Sequence, residues 1–335
     1  MLSWEKISKL KSLLPLIGIL LFIYIIHDVG IENLYSALES MNIFLLIASF
    51  FIFVPRIFIS TYKWKMVAEM QGISVKFFPL IGINLVGLFY GTVTPLWLGD
   101  WIRIFYLKEE SGAALGKCAS NVIIDQLIEF FSLFILSIFG SLLLLNRFPL
   151  LFAIIAGFFI FLLGVAIFFM EKNRSRKIFS LAYRYLIPSR LKEYLAKEFD
   201  YFYESIPPLK KLLKPLAVEI FSYTLFFTQI YMVAISLSLS IPYIHFILIY
   251  PISSLIGMIP ITISGFGTRE GALISILSIY GVAKEKAVAL SLTGYFITIF
   301  IPAMIGGIIS IFYARRIATK NKIMDNITSD NGPVG

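Results

Sequence analysis

The chain is poor in the residues that carry most enzyme chemistry. It has one cysteine, Cys118, and two histidines, His27 and His245, in 335 residues. A lone cysteine excludes an intramolecular disulfide and a cysteine metal cluster. No H-E-x-x-H, P-loop or G-x-S-x-G motif occurs. The histidines fall at the ends of apolar runs, where they read as interfacial, and neither metal nor cofactor is expected. Charge is scarce too, at 15% Asp, Glu, Lys and Arg. The ten-residue alternation of a membrane β-barrel is absent.

What remains is apolar. Hydrophobic residues make up 59% of the chain, and mean hydropathy is +0.87. A soluble core cannot absorb that much apolar surface, so the fold class is an all-α polytopic membrane protein. Apolar segments run at about 12–27, 43–60, 78–98, 119–145, 149–170, 215–239, 244–262 and 286–313, with a shorter run at 271–282. Lysines precede the first run without a cleavage site after it, so it reads as an uncleaved helix.

Basic residues orient these segments. Residues 28–42 hold acids and no Lys or Arg, whereas 61–77 hold Lys63, Lys65 and Lys76, 171–214 hold eleven Lys or Arg, and the tail holds four more. The positive-inside rule places both termini, 61–77 and 171–214 in the cytoplasm. Eight simple crossings violate that assignment. Six full crossings satisfy it if 78–118 and 244–282 are re-entrant hairpins entering from opposite sides. The stretch KEYLAKEFDYFYESI within 171–214 is a candidate amphipathic helix on the leaflet surface; a solvated connector is the simpler reading. Residues 316–335 read as a disordered tail.

The two hairpins resemble each other. TPLWLGDWIR (94–103) and IPITISGFGTRE (259–270) each place a proline, then a glycine, then an arginine four residues beyond that glycine. Each half, about 1–147 and 148–315 of a single membrane domain, then has three crossings and a hairpin. Three is odd, so the second half is inverted. Inverted repeats with broken helices are a recurring transporter plan. Glycines and hydroxyls permit irregular backbone at membrane depth where it lines protein or a wet cavity.

Seven charges are candidates for an intramembrane position: Arg56, Asp100, Arg103, Asp125, Glu129, Arg269 and Glu270. Each costs about 2.5–3.5 kcal/mol at a helix centre, so they must be paired, hydrated or interfacial. Asp125 and Glu129 share a helix face and repel unless a cation lies between them or one is protonated. They serve as coupling groups, as counter-charges, or as a structural salt bridge. Arg103 and Arg269, each beside a glycine motif, suit a phosphate. Ser264, Gly265 and Gly267 supply hydroxyl and backbone N–H groups to the second seat. Asp100 and Glu270 pair locally with the arginines or recognise a positive headgroup. Arg56 lies about one turn from the cytoplasmic end of its segment and can snorkel.

PLWLGDWIR resembles the P-x-x-x-G-[DE]-x-x-R element of the flippase-like membrane domain of lysylphosphatidylglycerol synthases. ISGFGTREGAL is similar to that family's G-x-G-x-R-E element, RIFISTYKWKMVAE to its R…R-W segment and NVIIDQLIE to its E-R-x-x-D helix. The likeness covers about 10–315. It departs at Gln126, where the family often has arginine, so charge pairing across that helix, and with it the headgroup, is open to differ from the family's. No soluble synthase domain is recognisable, so the resemblance implies a stand-alone translocator of a lipid with an anionic or phosphate-bearing headgroup, in the cell membrane. Family roles carry to Asp100, Arg103, Arg269 and Glu270. An intramembrane polyprenyl-diphosphate phosphatase and a non-transporting assembly subunit stay open as alternatives, as does homo-oligomerisation. No nucleic-acid partner is expected.

Overall fold

The computed structural model describes residues 22–186, 189–259, 265 and 267–313. Residues 1–21, Ser264 and the tail at 316–335 lie outside the described residues. The described chain is helical throughout. After α1 through 22–29 come α2 (Ile31–Glu39), α3 (Ile43–Met70) and α4 (Phe77–Val93). A 3-10 segment, Pro95–Ile102, leads to α5 (Arg103–Ser111), α6 (Leu115–Leu143) and α7 (Pro149–Phe169). Then follow α8 (Lys172–Leu186), α9 (Ser189–Glu204), α10 (Leu209–Ser236), α11 (Tyr243–Met258), α12 (Thr268–Leu277) and α13 (Lys284–Tyr313).

Length separates these helices into two kinds. Five of them (α3, α6, α7, α10 and α13) have 21 to 30 residues and the hydropathy of a membrane span. At 1.5 Å per residue each exceeds the ~30 Å hydrocarbon core. By contrast α4 and α11 have 17 and 16 residues, about 25 Å, and α5 and α12 only 9 and 10. The short helices come in pairs, and each pair doubles back. In the first, Gly87 and Gly91 of α4 face Arg103 and Trp97. Thr94 holds the tip: its hydroxyl donates to the Tyr90 carbonyl and accepts from the Gly99 amide, both at 2.7 Å. In the second, Gly257 of α11 faces Gly265 and Arg269.

A constant spacing runs through the long chain. The 28-residue helices α3 and α10 begin 166 positions apart, as do α4 and α11, while α5 and α12 end 166 apart. The same spacing relates Gly91 to Gly257, Gly99 to Gly265, Arg103 to Arg269 and Gly140 to Gly306. The packing follows it. Gly140 of α6 lies on the Leu248 carbonyl of α11, and Gly306 of α13 lies on the Leu85 carbonyl of α4, with no room for a Cβ at either. Each half therefore clasps the other's short helix through a glycine, a reciprocal contact of the kind two-fold symmetry produces. Close backbone approach of this sort holds helices together where lipid removes the hydrophobic drive.

Two sequence expectations shift. The helix α3 runs on to Met70, so Lys63 and Trp64 belong to a span and not to a loop at 61–77. Arg56 therefore sits four turns from that helix end, with its guanidinium 4.3 Å from the Phe226 ring, and does not snorkel. The segment 171–214 is also more than a connector. Its α9 docks on the start of α6, where Glu198 accepts from the Gly116 amide at 2.6 Å. Hydrogen bonds to Asp200 and Glu204 tie α8 to α9 and push the Lys172 ammonium above its ordinary range. The most apolar helix, α7, buries Ile155 and packs Leu151, Phe159 and Leu162 on the core, while Leu150, Ile154, Ile160 and Phe161 stay exposed as apolar surface suited to lipid.

Candidate functional site

The first site forms where α3, α5, α6 and α10 converge. Lys63 is fully buried, and its ammonium lies 2.7 Å from Asp125, 3.0 Å from Glu129 and 3.3 Å from Glu219. Asp125 and Glu129, one turn apart on α6, thus have a cation between them. Arg103, the first residue of α5 and 2% exposed, forks between Asp100 and Asp125, the latter at 3.0 Å. The hairpin makes this possible, because Gly87 leaves space for the Asp100 and Arg103 side chains where any Cβ would collide.

A polar shell fixes these groups. Gln126 donates to Asp100 at 2.8 Å and accepts from the Trp101 indole at 2.9 Å. The Trp64 ring lies 4.9 Å from the Arg103 guanidinium carbon, and its N–H donates to Asn121 at 2.6 Å. Asn121 in turn donates to Gln71, and Gln71 to Ser120. Gln126 thus takes over Asp100 as a neutral bridge where an arginine would have added charge.

The second site lies at the start of α12. Gly265 and Gly267 have φ of 77° and 90°, the left-handed region in which glycine alone is unstrained. Glu270 closes the turn by accepting from the Gly267 amide at 2.6 Å. Arg269, 8% exposed, donates to Glu270 at 2.8 Å and to Ser291 at 2.8 Å, and stacks on Tyr295 at 4.9 Å. Ser291 also donates to Glu270 at 2.5 Å.

The two sites correspond at the spacing of 166: Arg103 with Arg269, Asp125 with Ser291, Glu129 with Tyr295 and Lys63 with Gln229. Gln229 is fully buried with both amide atoms unpaired. Its neighbour Ile230 packs at Gly294, beside Tyr295. The chemistry differs between the sites: the first is an ion cluster, the second an Arg–Glu pair in a neutral polar setting.

The structure brings Asp100, Arg103, Asp125 and Glu129 together at one site, and Gly265, Gly267, Arg269 and Glu270 at the other. Arg56 lies within electrostatic reach of Glu129 and Glu219. Sequence reasoning missed Lys63 and Glu219. Glu219 did leave a signal, as a single acid early in the apolar stretch LAVEIFSYT. Elsewhere His245 pairs with the Tyr280 hydroxyl at 3.1 Å.

Comparison with known proteins gives one family. The model of the lysylphosphatidylglycerol synthase TM region matches residues 12–306. The chain is 23% identical to the UPF0104 membrane protein MJ1595 of Methanocaldococcus jannaschii, over 94% of this chain and 98% of that one. It is 24% identical to the UPF0104 membrane protein PH1989 of Pyrococcus horikoshii, over 89% and 96%. A UPF0104 membrane protein of Methanothermobacter thermautotrophicus is 21% identical, over 87% and 89%.

Proposed function

Since the chain belongs to the lysylphosphatidylglycerol synthase TM region family, we propose that it moves a phospholipid or lipid-linked phosphate between leaflets, as a translocator and not an enzyme. One observation carries this reading. Two arginines 166 residues apart each open the second helix of a broken hairpin, buried but held by a carboxylate of that same hairpin.

Such an arginine is a planar fork that exchanges one oxyanion for another. Asp100 and Glu270 occupy the forks at rest, and an arriving lipid phosphate displaces them. The exchange keeps the guanidinium paired throughout, which matters because an unpaired buried charge is costly. The hairpins fit re-entrant segments, too short to cross and lined by glycine where the backbone is irregular. Charge orients the molecule in the cell membrane with both termini cytoplasmic.

The test is leaflet exchange of fluorescent phosphatidylglycerol in proteoliposomes, read with a membrane-impermeant quencher. Wild-type protein is expected to allow quenching beyond half. Arg103→Ala and Arg269→Ala, each removing a charged phosphate contact, are expected to slow exchange on the order of tenfold or more. Exchange in both variants at the wild-type rate would remove the arginines from the path.

A further inference from the structure

We propose that the Lys63 cluster is a proton-binding site, holding one exchangeable proton on the neighbouring carboxylates of Glu219 and Glu129, and that this proton is coupled to lipid movement. The coupling rests on the translocator reading; the proton site does not.

The charges do not balance. Facing the cluster are Lys63 and Arg56 from α3, Arg103 from α5, Asp100 from the 3-10 segment, Asp125 and Glu129 from α6, and Glu219 with the Tyr223 hydroxyl from α10. That is four carboxylates against three cations. Asp125 has two cations at hydrogen-bond distance and Asp100 has Arg103, which leaves Glu129 and Glu219 with a lysine already engaged with Asp125 and with the longer-range charge of Arg56. A proton taken from water onto one carboxylate oxygen discharges the excess, and no other bond changes.

The fold does not require these acids. At the spacing of 166, the second half builds the same helices with Gln229, Ser291 and Tyr295 in place of Lys63, Asp125 and Glu129, and Phe53 stands opposite Glu219. The repeat is therefore an internal control: neither Glu129 of the first half nor Glu219 of the second has an acid at its matching position. Unpartnered groups mark a further occupant. Ser132, fully buried on the face of α6 that carries Asp125 and Glu129, leaves its hydroxyl unbonded, unlike Ser137 and Ser141, which bond back to their helix. The Arg103 Nε is likewise buried without a partner. Both suit bound water that would relay a proton.

Access is one-sided. Glu129 is 32% exposed, whereas Asp125 and Glu219 are 1% and 5% exposed. Protonation enters at Glu129 and settles towards Glu219. It also sets the sign of coupling: the deprotonated cluster is net negative and repels a phosphate from Arg103, while the protonated cluster admits it.

Two measurements on the full chain decide this. In lipid nanodiscs, infrared difference spectra across a pH titration are expected to show a protonated-carboxyl band that grows as pH falls. The band should be lost in Glu219→Gln and kept in Glu193→Gln, a change at an exposed position. Glu129→Gln serves in place of Glu219→Gln if that variant does not fold. No such band in wild type, or a band indifferent to both changes, overturns the proton site. In proteoliposomes with fluorescent phosphatidylglycerol, acid on the loading side is expected to accelerate wild-type exchange several-fold and to leave Glu219→Gln unmoved. Exchange indifferent to the gradient in wild type overturns the coupling. No exchange at all counts against the translocator reading instead, and the infrared band still decides the proton.

Discussion

Lys63→Met is expected to be the most damaging single substitution outside the backbone turns. The ammonium is fully buried and contacts three carboxylates within 3.3 Å. Methionine fills the volume but leaves those acids facing one another without their cation. Breaking a buried pair costs about 3–5 kcal/mol, a large share of the ~5–15 kcal/mol that typically holds a domain together. The thermal midpoint of purified protein should fall on the order of 10 °C, or the variant should not elute as a single species. Lys65→Met is the matched control, two residues on, where the lysine pairs with the exposed Glu69. Its effect should stay within about 1 kcal/mol. Equal midpoints for the two variants would mean that the Lys63 cluster does not hold the bundle.

Gly140→Val and Gly306→Val should behave as a pair. At each, a Cβ would overlap a backbone carbonyl, Leu248 from α11 in one case and Leu85 from α4 in the other. A backbone carbonyl cannot rotate away as a side chain can, so the whole short helix must shift. Overpacking costs about 1–3 kcal/mol where structure can give, and the upper end is expected here. The same substitution at Gly157 or Gly164 of α7 meets nothing within 4 Å and should be silent. The comparison reads out as thermal midpoints of four valine variants. If Gly140→Val and Gly306→Val differ as much from each other as from the α7 pair, the reciprocal contact is not a shared feature of the two halves.

The fold was legible because lipid imposes long apolar helices, and charge placement then limits how they connect. The same constraint picked out 78–118 and 244–282 as the segments to treat separately, and it is there that the helices are too short to count as full spans. The register of the repeat was harder. Prolines 95 and 260 are 165 apart, whereas the arginines, the tip glycines and the helix bounds keep 166. A motif match anchored on proline blurs a relation that helix geometry makes plain.

Lys63 was lost for a physical reason. The positive-inside rule counts a lysine near an apolar run as a loop charge, and nothing local distinguishes Lys63 from Lys65. What separates them is tertiary: one meets Asp125, Glu129 and Glu219 from two other helices, the other meets Glu69. Asp125 and Glu129, by contrast, announced from their four-residue spacing that a cation or a proton had to lie between them.

The account turns on the two halves being one structure placed in opposite orientations, and a labelling measurement tests that most directly. Gly112 directly after α5, and Gly281 after the 3-10 turn Ser278–Tyr280 that ends α12, adopt the left-handed conformation, exposed and with open space for a side chain. Single cysteines at these positions, in a Cys118→Ser background, are accommodated at a cost of about 1–2 kcal/mol. With a membrane-impermeant thiol reagent, Gly112→Cys is expected to react only from the cytoplasmic side and Gly281→Cys only from the opposite side. Reaction of both from the same side would contradict the inverted arrangement, and with it the approach of the two arginines from opposite leaflets.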